Sequence, residues 1–328
     1  MEIQKLFFEI AKNRLSSNLR LADAVGDILQ VSSDSAYRRI RGEKELSINE
    51  LIKLCQYFNI SVDSIINYQS DNILFRYTPL DMTDMNNYYT YMKKLKALFD
   101  EIANSKEKEI YFAALDIPVV HFMPFLELTL FKVYTWFQSI NNIQLTYEQF
   151  TAKLDIPLLT NIYSSIDNAS KQIPSTEIWT NNTLSPLLRL MDHYFDLNCF
   201  EKKETANLIC GQLHQLIENI EKYAEQEVKK SKNGEASFRM YLSPVDITND
   251  FMITKRDGIR VTSIKLYTIN GIFTSNELFG TEVEKWMKDT TSKSLRLSGA
   301  SAKERYLFFQ SLKNKVNNLR EKFEKRQL

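Results

Sequence analysis

The sequence predicts a mainly α-helical protein with an α+β part, built on an antiparallel meander, confined to its C-terminal end. Three observations carry this expectation. Gly (8) and Pro (7) are scarce in 328 residues, so helix breakers are few. Apolar residues recur at three- and four-residue spacing through most of the chain up to about residue 230. From Phe238 onward the apolar period falls to two. The length suggests two or three folding units. Polar breaks divide the chain into a head (1–68), a linker (69–80) around Gln69-Ser70-Asp71-Asn72 and Pro79, a larger helical region (81–230), and a meander with a terminal helix (237–328).

The head reads as five short helices. Ile3, Leu6, Phe7 and Ile10 form one apolar face of a first helix ending near Ser16 to Asn18, and Leu21 to Leu29 makes a second. Val31-Ser32-Ser33 interrupts, and a hydroxyl there caps a third helix that runs to about Arg41 and stops at Gly42. Ser47-Ile48-Asn49-Glu50 is a capping box ahead of Leu51, Leu54, Cys55 and Phe58. Asn59 suits a left-handed C-terminal cap, and Ser61 caps a fifth helix carrying Val62, Ile65 and Ile66.

This series, with Ala22 to Arg41 as a two-helix unit followed by Gly42-Glu43-Lys44, resembles the Cro/CI-like (XRE) helix-turn-helix family as far as about Asn67. Val25, Leu29, Val31 and Ala36 match its core positions, and Gly26 the small residue at the helix crossing. Gln30 stands where the family usually turns on glycine, and Arg39 where it usually has an apolar residue. The resemblance implies a λ-repressor-like fold and a bacterial, cytoplasmic transcription regulator that reads double-stranded DNA. Polar side chains at the start of the inserted helix read base edges, and cations and amides anchor phosphates. The candidate DNA-binding residues are Ser32, Ser33, Asp34, Tyr37, Arg38, Arg41 and Lys44: Arg38 for a guanine edge, Arg41 and Lys44 for phosphates. The plain alternative is a solvated face in which the arginines pair with Asp34 and Glu43.

Beyond the linker a Tyr-rich helix is expected from Met85 to about Ala103, then an extended apolar segment from Glu109 to Val120. Pro124 opens a helix whose Phe125, Leu128, Phe131, Tyr134, Trp136 and Phe137 surround it with apolar surface; Glu127 and Lys132 interrupt the run and keep it from reading as a membrane span. Further helices follow to about Lys230, one with a stripe of Ile209, Leu213, Leu216, Ile220 and Tyr223. Ser231 to Ala236 reads as a polar linker. Asp257-Gly258 and Asn270-Gly271 read as hairpin turns, Trp286 and Met287 as a short helix, and Ser301 to Glu304 as the cap of a long basic one. On that helix Phe309, Leu312, Val316, Leu319 and Phe323 form a heptad-like seam, the candidate dimer interface.

Net charge is +1, so any nucleic-acid footprint is local. Cys55, Cys199 and Cys210, with no leader ahead of them, fit a reducing cytoplasm. His193, Cys199, Cys210 and His214 match no zinc spacing, and no phosphate loop, nucleophile elbow or HExxH site appears, so neither a metal, a cofactor nor an enzyme is expected. The expected protein is a DNA-binding regulator, dimeric, with a C-terminal part that senses a small-molecule or protein effector of unidentified chemistry. The rival readings are a docking module and a DNA-tethered enzyme.

Overall fold

The computed structural model describes residues 3–15, 19–58, 60, 62, 72–141, 145–267 and 270–325. The chain divides into two compact units, Met1–Phe75 and Arg76–Leu328. In the first, α1 (Ile3–Asn13), α2 (Leu21–Leu29), α3 (Ser33–Ile40) and α4 (Ile48–Phe58) enclose a core of Phe7, Ala11, Val25, Ala36, Leu54 and Phe58. Three local devices set these helices. Gln30 closes α2 in the left-handed conformation (φ 55, ψ 48), doing without the glycine that such a cap favours. Ser32 caps α3 by accepting the Ser35 N–H. Ser47 and Glu50 form the expected reciprocal box at α4, each accepting the other's backbone N–H. Of the expected fifth helix, Val62 packs on this core; Asn59, Ser61, Ile65 and Ile66 lie outside the described residues.

The second unit overturns the mainly α expectation. Among its described residues, nine strands form one mixed sheet in the order β1-β8-β7-β6-β2-β3-β5-β4, with β9 also on β5. They are β1 (Arg76–Tyr77), β2 (Lys108–Ala113), β3 (Ser175–Trp179), β4 (Val228–Ser231), β5 (Gly234–Leu242), β6 (Phe251–Arg256), β7 (Ile259–Tyr267), β8 (Asn270–Thr274) and β9 (Leu295–Arg296). The helices are α5 (Met85–Asn104), α6 (Leu126–Ile140), α7 (Tyr147–Thr151), α8 (Ile156–Ser170), α9 (Ser185–Asp196), α10 (Lys203–Gln226), α11 (Glu277–Ser292) and α12 (Ala302–Lys325). The meander is therefore not a separate C-terminal part. Its strand β6 pairs antiparallel with β2, which pairs parallel with β3, and β3 in turn runs parallel to β5. Helices carry the chain between these parallel strands, as parallel pairing requires.

The sheet separates two apolar clusters. Alternate residues of β2 and β3 supply both: Ile110, Phe112 and Trp179 belong to the large helical core, while Ala113 and Ile178 join Ile253, Val283 and Met287 beneath α11. Helix α6 is buried all round, with Leu128, Phe131, Tyr134 and Trp136 inside.

Several local expectations are also corrected. The sheet already takes up Arg76 and Tyr77, within the expected linker, as its edge strand beside β8. The extended segment ends at Ala113, and Val119–His121 is a 3-10 turn. Residues 231 to 236 form the β4–β5 hairpin rather than a linker. Asp257 and Gly258 make the expected hairpin turn with positive φ at both (44 and 80). Asn270 and Gly271 instead lie inside β8, opposite Tyr267 and Lys265. A Cβ on Gly271 would sit 2.7 Å from the Ile264 carbonyl oxygen, so its glycine serves close strand approach and not a turn.

Candidate functional site

In the first unit the candidate recognition face is built by helical spacing. Asp34, Tyr37, Arg38 and Arg41 follow one another at three and four residues, and all are exposed, as are Ser32, Ser33 and Lys44. Ser32 is occupied in capping α3. Arg39 turns the other way. It is 3% exposed, its guanidinium contacts Glu50 on α4 at 2.6 Å, and it donates to the Ser35 carbonyl and hydroxyl. Gln4 of α1 donates to the Arg39 and Lys44 carbonyls and accepts the Leu46 N–H, so the segment after α3 is tied to α1. Arg39 thus fills a buried position as a polar tie, and Tyr37, Arg38 and Arg41 stay on the solvent face of α3.

The cations on this face differ in availability. Arg41 forks onto Glu43 (2.6 and 3.0 Å), whereas Arg38 Nε lies 3.9 Å from the same carboxylate. The hydrogen bond and charge of Glu43 raise the Arg41 pKa, and Arg41 in turn lowers that of Glu43. Such an exposed pair is weak in water, so a phosphate can displace Glu43.

The candidate dimer seam is interior. Phe309, Leu312, Val316, Leu319 and Phe323 are all under 10% exposed and belong to the second unit's own core, with Phe323 stacked on Phe195 of α9. Ile209, Leu213, Leu216 and Ile220 of α10 are buried in the same core, against which α12 lies. These side chains have no free face to offer a second copy.

Of the four residues weighed for zinc, Cys210 is buried and its thiol is pushed up to about 12 by burial, Cys199 lies near the Leu197 carbonyl, and His214 approaches Glu218. Among the described residues no three His, Cys, Asp or Glu side chains come together to hold a metal.

The second unit contains a feature that the sequence reading missed. A cavity of about 370 Å³ opens beyond the carboxyl end of β2, the position where open α/β sheets place their ligands. Thr135, Trp136 and Ser139 line it from α6, and Leu187, Leu190 and Tyr194 from α9. Four charged residues close one side: Asp116 after β2, Lys132 on α6, Asp250 before β6 and Lys265 on β7. Lys132 reaches Asp116 at 2.5 Å, and Lys265 reaches Asp116 at 3.3 Å and Asp250 at 2.9 Å. Burial pushes the Asp116 carboxyl upward, but the two lysines outweigh it and the net shift is down. Burial also lowers Lys132, while Asp116 and Asp250 overcome it at Lys265 and raise that group. Lys132, which with Glu127 interrupts the apolar run Phe122 to Phe137, was the available signal.

A second polar knot lies deeper. Glu177, central in β3 and 1% exposed, accepts from the Trp179 indole and lies 2.8 Å from His121 Nε2. Burial opposes its charge, yet His121 and Lys229 hold its pKa below the usual value. Lys229, bonded to the Ser170 carbonyl, is pushed down to about 8 by burial. The adjoining void is about 10 Å³, room for one water.

No protein-family model, curated protein or solved structure matches the chain. Among the described residues no helix is long and apolar enough to cross a membrane.

Proposed function

We propose that the chain is a sequence-specific regulator of transcription that reads duplex DNA with α3. The observation that carries this reading is the division of labour on that helix. Arg39 is buried as a structural tie, while Tyr37, Arg38 and Arg41 share an exposed face that begins at a capped N-terminus. A side chain on that face reaches base edges when the helix enters a major groove, and Lys44 beyond its end suits a phosphate. A single head buries little surface, so tight operator binding calls for two heads on half-sites one helical turn apart. The dimer this requires forms through a surface other than the buried Phe309 to Phe323 seam.

The test is selection of bound fragments from a randomised duplex pool with the full-length protein. Titration of Arg38→Ala and Lys44→Ala variants on the selected duplex then follows. Arg38→Ala relaxes sequence preference, whereas Lys44→Ala weakens all sequences alike and reduces the salt slope by about one. Retardation unaltered by both variants overturns the surface assignment, and a full chain that is monomeric on DNA by light scattering overturns the two-headed arrangement.

A further inference from the structure

The charged cavity of the second unit has an uneven balance of donors and acceptors. Within the described residues every carboxylate oxygen already has a partner. Asp116 Oδ2 faces both lysines and its Oδ1 accepts the Ile117 N–H; Asp250 Oδ1 accepts the Asp116 N–H and its Oδ2 takes Lys265. The donors are not all spent. An ammonium carries three protons. Lys132 directs one to Asp116 and stands 4.2 Å from the Phe122 ring centroid, while Lys265 directs two to carboxylates. Asn249, whose Oδ1 takes the Asp250 N–H, also lines the cavity and retains its amide protons. With two acceptor places to each oxygen, the unspent protons still outnumber the unfilled places on the two carboxylates, so the larger remaining capacity is for an acceptor.

Charge and shape narrow the class. Two lysines against two aspartates sum to zero, so a dianion such as a phosphate monoester would face two carboxylates uncompensated, and a cationic amine would set a third ammonium beside Lys132 and Lys265. A single negative charge shared by Lys132, Lys265 and Asn249 fits. Trp136, Leu187, Leu190 and Tyr194, with Leu115 and Leu266, supply apolar lining, and the volume lies within the range of small-molecule sites. We propose that this cavity binds a small monocarboxylate with an apolar ring or chain, its head at Lys265 and Lys132 and its body between α6 and α9. The proposal stands independently of the DNA reading.

Calorimetric titration of the full-length chain with phenylacetate and octanoate tests it, with phenylacetamide and phenethylamine as uncharged and cationic counterparts. Either carboxylate binds, and the amide and amine bind at least tenfold more weakly. Lys265→Met weakens the carboxylate at least tenfold and leaves the amide unchanged. Leu190→Trp, which fills the apolar wall without touching a charge, abolishes both while the thermal transition persists. If Lys265→Met does not fold, Leu190→Trp with the carboxylate and amide pair decides alone. The proposal is overturned if neither carboxylate binds, if the amide binds as well as the acid, or if carboxylate binding survives Leu190→Trp.

Discussion

Replacing Arg39 tests whether the first unit depends on a polar plug where its resemblance would place an apolar one. Arg39→Ala removes two methylenes of buried stem at about 0.8 kcal/mol each. It also strands Glu50, which keeps the Ser47 N–H and is 23% exposed, so that this part costs only about 1 kcal/mol. The sum is near 3 kcal/mol. Arg39→Met keeps the stem and abolishes the unpartnered, buried Nε, so it costs about 1 kcal/mol, and adding Glu50→Gln recovers most of that. Hydrogen exchange of peptides covering α3 and α4, in the full-length chain at neutral pH, reads these differences. Alanine speeds exchange on the order of 100-fold, and methionine less than tenfold. The Arg39 hydrogen bond lowers the Glu50 pKa, so this contribution is present above the usual glutamate range and is lost as pH falls through the depressed value. Alanine exchange within threefold of wild type, or methionine as costly as alanine, would refute the reasoning.

Glu43→Gln releases Arg41 from its fork and strengthens retardation of the selected duplex about three- to tenfold at low salt; unchanged or weaker binding would show that Arg41 is not a phosphate contact. Gly271→Ala drives a methyl into the Ile264 carbonyl, at a cost of about 2 kcal/mol, and lowers the second unit's melting midpoint by roughly 4–8 °C in calorimetry. Deleting residues 301–328 removes six buried apolar side chains at about 1.5–3 kcal/mol each, comparable to a domain's whole stability. The truncated chain then loses the second unit's cooperative transition and binds a hydrophobic dye; a truncated chain that unfolds sharply would return the seam to the surface.

Legibility followed the range over which a signal acts. The head was readable because its determinants are local: Ser32 lies three residues from the amide it caps, Ser47 three from Glu50, and Leu21–Leu29 carries its own apolar face. Even the buried Arg39 was visible as an oddity, although its partner was not. The sheet was hidden for the opposite reason. Strand β3 is five residues, Ser-Thr-Glu-Ile-Trp, buried on both faces, so it lacks alternation and carries a glutamate whose charged partners His121 and Lys229 are distant in sequence. The Phe309 to Phe323 stripe announced burial correctly, but spacing alone does not say whether the covering surface belongs to the same chain. The cavity was illegible because its four charged residues come from separate elements that meet only at the end of β2.

The placement of β2 between β3 and β6 also has a consequence during synthesis. Its residues, including Ile110 and Phe112, leave the ribosome with β3 soon to follow, but the partner on the other side does not exist until the chain has passed Phe251 to Arg256. At about 5–20 residues per second that wait is on the order of ten seconds, during which an apolar strand shows one open edge. The first unit is fully translated long before then. A nascent chain interrupted between residues 180 and 250 therefore carries a complete first unit joined to a half-sheet whose open β2 edge is a template for pairing with another chain.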